Sequence, residues 1–225
     1  MVEFHIEQFE AIISANFKLE GKFKALAGFQ TPIDLSFIPP LERRRLGRSA
    51  SAAFFLYEKF AFKKQPLLVF SSFAGEVNNC FTMLNTLIQK EPLSPNAFSL
   101  SVLNATPALL AINKNNHSEI TAISANPAFE YAIISAYTKL YEQKEREAFV
   151  MSYFESLAKE PEFLMLALKM SLQKPNFRLE FYPNLQRKEL KNIKLSELDF
   201  LYNHLQGSSH YDIKSEFLHF KWSKL

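Results

Sequence analysis

The stretch that decides the fold is residues 67–136, which begins LLVFSSFAGEVNNCFTMLN (67–85) and ends EITAISANPAFEYAIISA (119–136). Residues 67–71 form a short apolar run closed by small residues, which predicts a buried strand. After Gly75, apolar side chains recur at helical spacing: Val77, Phe81, Leu84 and Ile88. Residues 119–124 predict a second strand, and Pro127 opens a second helix. Two strand–turn–helix units in succession indicate a layered α/β domain.

The flanking sequence predicts further strands and helices around this centre. We expect an edge strand over residues 4–15, a polar connection over 16–40 and a helix from Leu41 through Leu56. Ser94 and Pro95 start another helix, because serine caps and proline suits a first helical position. The remaining predictions are strands at 148–154, 164–173 and 177–182, a helix at 196–205 capped by Ser196 and ended by Gly207, and a last strand at 210–222.

Composition excludes several classes of protein. The 225 residues are 48% hydrophobic and include 23 Phe, which predicts one compact domain spanning residues 1–225. Only 5 Gly argue against a Gly-rich phosphate loop, and a net charge of +3 is too small to indicate nucleic-acid binding. The single cysteine, Cys80, excludes an internal disulfide and suits a reducing compartment. No run approaches the roughly 20 apolar residues of a membrane helix. We therefore expect a cytoplasmic protein.

The turn at residues 123–125 is the place where this fold would carry a nucleophile. It lies where a predicted strand ends and a helix begins, and the amides of a helix N-terminus favour developing negative charge. The turn holds Ile123, Ser124 and Ala125, and it contains no cysteine.

At these residues the sequence resembles the beta-ketoacyl synthase N-terminal-like family, short proteins related to the first half of a thiolase-fold ketosynthase. The matching stretches are PPLERRRLGRSASAAF (39–54), FSSFAGEVNNCFTMLN (70–85), PLSPNAFSLSVLNATPALLAI (92–112), ITAISANPAFEYAIISA (120–136), LDFLYNHLQGSS (198–209) and FLHFKW (217–222). The resemblance covers most of the chain in order. It implies a thiolase-like half in which a mixed sheet is sandwiched by helices, an α/β/α arrangement.

The resemblance also implies that catalysis has been lost. Ketosynthases carry their cysteine nucleophile in an Asp-Thr-Ala-Cys-Ser-Ser type of turn, and residues 120–125 are Ile-Thr-Ala-Ile-Ser-Ala, so Ile123 occupies the cysteine position. A hydrocarbon side chain cannot attack a thioester. No later stretch resembles the histidine elements of the second half of a ketosynthase. Leu103 stands where the family often has histidine, and Asn104 follows it. The candidate acyl-pocket residues are therefore Leu103, Asn104 and Ile123.

Alternatives from the residues themselves stay open at this stage. Ser124 is a weak candidate nucleophile for an acyl-thioester transferase or hydrolase, with His117 as the only histidine close in sequence. The plainer interpretations are a serine that caps the following helix and a solvent-facing histidine. Asn104 is expected as a buried amide and Cys80 as a small core residue. No metal-binding spacing occurs, and we predict no metal and no cofactor. A purely structural partner-binding protein is a further alternative.

The arginines at positions 43, 44, 45 and 48 form the strongest charge run. A run of this kind is usually a solvated helix face, but it also suits docking of an acidic partner such as an acyl carrier protein. The resemblance implies a chain-length-factor-like accessory subunit of a type II fatty-acid or polyketide system, in particular one of the aryl polyene type. A lone half of the ketosynthase fold is expected to pair with a full-length ketosynthase subunit or with itself. Residues 119–123 are the candidate pairing edge.

Overall fold

The computed structural model describes residues 1–143, 146–185 and 193–225. These residues contain an eight-stranded mixed sheet with the strand order β3-β2-β4-β5-β1-β6-β8-β7. The strands are β1 (Val2–Ile13), β2 (Leu67–Ser72), β3 (Ile120–Ser124), β4 (Ala148–Glu155), β5 (Phe163–Ser171), β6 (Phe177–Pro183), β7 (His210–Lys214) and β8 (Leu218–Lys224).

Helices connect and cover these strands. A 3-10 helix occupies Gly21–Phe29, and the α-helices are α1 (Pro40–Arg43), α2 (Arg48–Tyr57), α3 (Val77–Ile88), α4 (Pro95–Leu100), α5 (Ala105–Asn113), α6 (Ala128–Glu142) and α7 (Ser196–Leu205). In the described part of the chain, no helix combines the length and the apolar character needed to cross a membrane.

Strands β3, β2 and β4 are parallel, and the remaining neighbours in the sheet are antiparallel. The prediction of an edge strand over residues 4–15 is wrong. Strand β1 lies in the interior of the sheet because it pairs with β5 over most of its length and with β6 through Val2, Glu3 and Phe4. Its alternating polar residues suggested an edge strand, but such residues also occur on this interior strand, where Glu7 is exposed and pairs with Lys169 of β5 at 3.0 Å.

The sheet separates two hydrophobic cores. Alternate residues of β2 point to opposite faces, so Leu67 and Val69 join one core while Leu68 and Phe70 join the other. Helices α6 and α7 cover the first face, and α2 and α5 cover the second. The predicted α/β/α architecture is therefore confirmed.

Three local predictions were wrong in detail. The helix predicted from Leu41 to Leu56 is two helices, because the chain is extended at Gly47 and α2 begins after it. The last predicted strand is the hairpin β7–β8, whose turn is closed by the Ser215 hydroxyl, which accepts the Leu218 amide at 3.0 Å. Ser196 is the first residue of α7 rather than its cap, and its hydroxyl donates to Glu130 instead. Ser94 does cap α4, where it accepts the Ala97 amide.

A buried carboxylate lies inside the core beneath α6. Glu130 is completely buried; one oxygen accepts the Trp222 indole N–H at 3.0 Å and the other accepts the Ser196 hydroxyl at 2.5 Å. Glu197 of α7 is also buried and accepts the Ser152 hydroxyl at 2.5 Å. Burial raises the pKa of Glu130 to about 7, although the hydrogen bonds from Ser196 and Trp222 act to lower it. Burial also raises the pKa of Glu197.

Candidate functional site

The three parallel strands end together, and this edge of the sheet carries the candidate residues of the nucleophile turn. Ser72 at the end of β2 lies beside Ser124 of β3 on one side and Tyr153 of β4 on the other. Ligand sites of open α/β sheets form outside the carboxyl ends of the parallel strands. The edge therefore has the position expected of a site, and its chemistry depends on which side chains it presents.

Ile123 presents a hydrocarbon at this edge. It is the last residue but one of β3, opposite Ser71 of β2, and its half-buried side chain packs against the core under α6. Helix α6 starts at Ala128, after a turn that ends in Pro127. The strand–turn–helix arrangement expected around a nucleophile is thus present, and the Ile123 side chain contributes packing there.

Ser124 does not have the surroundings of a nucleophile. Its exposed hydroxyl donates to the Phe73 carbonyl at 2.8 Å, so it fastens the β2–α3 loop and does not cap α6 as expected. His117 is exposed, as predicted, but it precedes the opposite end of β3 from Ser124. The five residues of β3 span about 17 Å. A base at that distance is far outside hydrogen-bond reach of the hydroxyl.

The three candidate acyl-pocket residues do not share one face of the sheet. Leu103 is half-buried and packs with the core under α2 and α5, whereas Ile123 packs on the α6 side. Leu103 also fills the space beside Gly75, where an added Cβ would lie 3.4 Å from its Cδ1 and where the backbone has a φ of 59°. Asn104 is exposed at the start of α5 and makes no capping hydrogen bond through its side chain. The expectation of a buried amide at Asn104 is wrong.

The four arginines of the charge run have different surroundings. Arg43, Arg44 and Arg45 are exposed on and just after α1. Arg45 borders a groove of about 430 Å³ between α1, α2 and α5, lined among others by Ile38, Leu109 and Ile112. Arg48 differs from them, because its guanidinium lies 2.7 Å from the fully buried carboxylate of Glu155. The exposed patch therefore consists of three arginines.

A buried polar network that sequence reasoning missed surrounds Glu155 and Glu76. Glu155 accepts hydrogen bonds from Arg48, from Asn78 and, at 2.8 Å, from the Tyr153 hydroxyl. These residues are up to 107 positions apart in the sequence, so no local motif could have revealed them.

Glu76 fastens the β2–α3 loop to the start of α2. Its carboxylate accepts the Ser49 amide at 2.7 Å and the Ser49 hydroxyl at 2.6 Å, and that hydroxyl also contacts Thr106. Burial raises the pKa of Glu76, although the hydrogen bonds from Ser49 act in the opposite direction. A Cβ at Gly47 would lie 2.7 Å from a Glu76 oxygen, which explains glycine at that position. The network holds α2, α3 and α5 in a fixed relation.

Helices α3 and α4, together with the loop before α3, present an exposed apolar surface. We call it the α3–α4 surface and define it by Phe73, Phe81, Leu84, Leu87, Ile88 and Phe98. These side chains are between 45% and 77% exposed, and no residue of α3 is buried. The predicted helical spacing is correct, but the apolar face of α3 points away from the core. Exposed apolar patches of this kind mark interaction sites.

Cys80 of α3 is half-buried, with its Sγ 3.8 Å from the Ser101 carbonyl, and is not the core residue expected.

The α3–α4 surface continues onto the edge of the sheet. Phe73 belongs to the surface and receives the hydrogen bond from Ser124, the last residue of β3. Strand β3 is the end of the strand order, and its outer side has no strand neighbour within the described ranges. An uncovered strand edge offers backbone donors and acceptors to another chain. The apolar helices and the open edge thus form one continuous surface.

Potential metal ligands do not cluster in the part of the chain that the structure describes. In residues 1–143, 146–185 and 193–225, no three His, Cys, Asp or Glu side chains are placed to hold a metal ion. The site therefore combines the turn that carries Ile123, a loop held by hydrogen bonds to Glu76 and from Ser124, and the exposed α3–α4 surface.

Solved structures share this fold. One match is a chain from the structure of the ketosynthase ApeO in complex with its chain length factor ApeC, from Xenorhabdus doucetiae. It has a TM-score of 0.77 and 18% identity, and the match covers 99% of this chain and 100% of that chain. The ishigamide ketosynthase/chain length factor gives a TM-score of 0.59 at 12% identity, and the match covers 82% of this chain and 68% of that chain. The AntDE:AntF complex, a type II PKS acyl-carrier protein with its ketosynthase bound to the hexaketide, gives 0.63 at 10% identity and covers 100% of both chains.

Sequence places the chain in a family. No protein with a curated function matches it significantly. Residues 21–223 match the family described as beta-ketoacyl synthase, N-terminal domain, which is most of the 225 residues. The fold is that of the ketosynthase and chain length factor complexes of type II PKS-like systems, and the predicted resemblance is confirmed. The chain therefore belongs to the beta-ketoacyl synthase N-terminal domain family.

Proposed function

We propose that this chain is a non-catalytic, chain-length-factor-like subunit of a type II fatty-acid or polyketide system of the aryl polyene type. The observation that carries the proposal is the packing of Ile123, a hydrocarbon at the position that the family resemblance assigns to the nucleophile, against the core under α6. An acyl-transfer cycle needs a side chain that can form and release a thioester. The chain, acting as a single domain, would shape the site of a partner instead of carrying out the condensation itself.

The geometry opposes the enzymatic alternative. A transferase or hydrolase based on Ser124 needs a base within about 3 Å of its hydroxyl. That hydroxyl donates to the Phe73 carbonyl, and His117 precedes the far end of β3. Cys80, the one thiol of the chain, lies on α3 against the Ser101 carbonyl and outside the nucleophile turn.

The proposed partner is a full-length ketosynthase, which would bind the α3–α4 surface and the open edge of β3. Two observations support it: the surface is apolar although it faces outward, and the adjoining strand has an open edge. The complexes named above pair a ketosynthase with a chain length factor, and this chain has the same fold. A second copy of this chain would use the same surface, and co-purification of surface variants distinguishes the two partners.

The acyl carrier protein is the second proposed partner, and its docking site would be Arg43, Arg44 and Arg45. All three side chains are exposed, and the groove beside Arg45 has an apolar wall that includes Leu109 and Ile112. An acidic protein that presents an apolar side chain would complement both features. Arg48 is left out of this proposed site because it is paired with Glu155.

Reconstitution with the cognate ketosynthase and acyl carrier protein tests the proposal. We expect condensation by the ketosynthase when this chain is present, with product length dependent on it, and no turnover by this chain alone. Cys80→Ala and Ser124→Ala should not abolish the turnover of the complex, because neither the thiol nor the hydroxyl takes part in the chemistry. If this chain alone shows turnover and one of these two variants loses it, the chain is an enzyme. If this chain binds the ketosynthase but the products are the same with and without it, only a structural role remains.

A further inference from the structure

A basic cavity lies at the opposite end of the sheet from the nucleophile turn. It has a volume of about 310 Å³ and opens where β2 and β4 begin, beside the start of β1 and the end of β5. Four cationic side chains line it: Lys63, Lys64, Arg146 and Lys174. They come from three separate connections of the chain, and only the fold brings them together. Nothing in the proposed ketosynthase-related function uses this end of the sheet.

The carboxylates of the cavity are already paired. Glu7 and Glu147 also line it, and Lys169 lies between them, with its Nζ 3.0 Å from Glu7 and 3.1 Å from Glu147. Glu147 accepts in addition the backbone amide of Lys63 at 2.9 Å. Lys169, Glu7 and Glu147 together keep one negative charge, which is smaller than the positive charge of the four lining cations.

The four lining cations have no carboxylate partner among residues 1–143, 146–185 and 193–225. Arg146 donates to the Gln65 carbonyl at 2.7 Å, to Gln143 at 3.1 Å and to the Ser118 hydroxyl, which are all neutral acceptors. These bonds hold the guanidinium in place without neutralising it. Cations that line one cavity repel one another, and a bound anion relieves that repulsion.

We propose that this cavity binds a small molecule through a diphosphate group. Lysine and arginine form short charge-assisted hydrogen bonds with phosphate oxygens, and several cations around one cavity match a ligand with several negative charges. A volume of about 310 Å³ is at the lower end of the range of small-molecule sites. A concave cavity of that size encloses a phosphorylated metabolite better than it accommodates the convex face of a protein. The diphosphate belongs to a nucleotide or is free in solution.

Calorimetric titration of the intact chain at low salt tests this proposal with two probes, inorganic pyrophosphate and ADP. We expect saturable binding that weakens at least tenfold in the Lys63→Glu, Lys174→Glu double variant. Similar affinities for the two probes would indicate the free anion as the ligand, whereas at least tenfold tighter binding of ADP would indicate a nucleotide. Both results support the site.

The control variant carries Lys24→Glu and Lys159→Glu, which change the net charge by the same amount at exposed positions outside the cavity. It should bind both probes as the unmodified chain does. No saturable binding of either probe, or equal weakening in both variants, would overturn the proposal. All four substituted lysines are exposed, so circular dichroism should show native folding in both proteins. The result is independent of whether the chain pairs with a ketosynthase.

Discussion

A chain carrying Leu84→Glu and Ile88→Glu should no longer co-purify with the proposed ketosynthase partner. Both side chains are on the outward face of α3, where they are 52% and 77% exposed in the isolated chain. Pairing across the α3–α4 surface would remove them from water, and a buried carboxylate without a partner costs several kcal/mol. Since 1.4 kcal/mol is a factor of ten in affinity, two such charges should weaken the complex by about a thousandfold or more.

The fold itself should tolerate these changes. No residue of α3 is buried, so thermal unfolding of the isolated variant should stay close to that of the unmodified chain. A matched control carries Leu205→Glu and Phe217→Glu, two exposed apolar positions on α7 and in the β7–β8 turn. The control should co-purify normally in size-exclusion chromatography. If the α3 variant keeps the complex, the partner binds elsewhere; if the unmodified chain forms only a homodimer that the α3 variant abolishes, a second copy occupies this surface.

The stability of the chain should depend on pH through Glu130, and the Glu130→Gln variant should lose that dependence. Burial raises the pKa of Glu130 from 4.5 in the unfolded chain to about 7 in the folded one. The folded state therefore binds more protons than the unfolded state between these values, and the free energy of unfolding falls as pH rises. A shift of this size corresponds to about 3 kcal/mol, which is fully present below pH 4.5 and lost as pH passes 7.

Urea unfolding of both proteins between pH 4.5 and pH 8 measures this effect. Glutamine keeps the shape of the side chain and can still accept the Trp222 indole N–H, so the fold should persist. As pH rises, the free energy of unfolding of the unmodified chain should fall by about 3 kcal/mol relative to that of the Glu130→Gln variant. Glu197 adds a slope of the same sign to both proteins, because burial also raises its pKa, and this slope cancels in their difference. Glu160→Gln, at an exposed position, should follow the unmodified chain. A parallel slope for Glu130→Gln would contradict the argument.

The central elements of the fold were predictable because their sequence patterns are local. The apolar run of residues 67–71 predicted a strand and Pro127 predicted a helix start, each within one residue of β2 and of the start of α6. The position of β1 was not predictable, because pairing with both β5 and β6 depends on contacts more than 150 residues away. The hairpin β7–β8 was missed because its turn contains no glycine and is closed by the Ser215 side chain.

The residues of the candidate site could be named from the sequence, but their arrangement could not. The resemblance gave the position of Ile123, and the helical spacing gave the apolar face of α3, but spacing alone does not reveal whether a face meets the core or the solvent. The separation of Leu103 and Ile123 by the sheet follows from strand order, which no local pattern contains. The pairing of Arg48 with Glu155 has the same origin, since only the fold brings α2 next to the end of β4.

Intact-protein mass spectrometry tests most directly whether this chain takes part in bond formation. The chain, its ketosynthase partner and an acyl-loaded carrier protein are mixed, and the masses of both subunits are recorded before and after the acyl donor is added. We predict an acyl adduct on the ketosynthase and an unchanged mass for this chain. A stable acyl adduct on this chain, formed at the rate of turnover, would contradict the account.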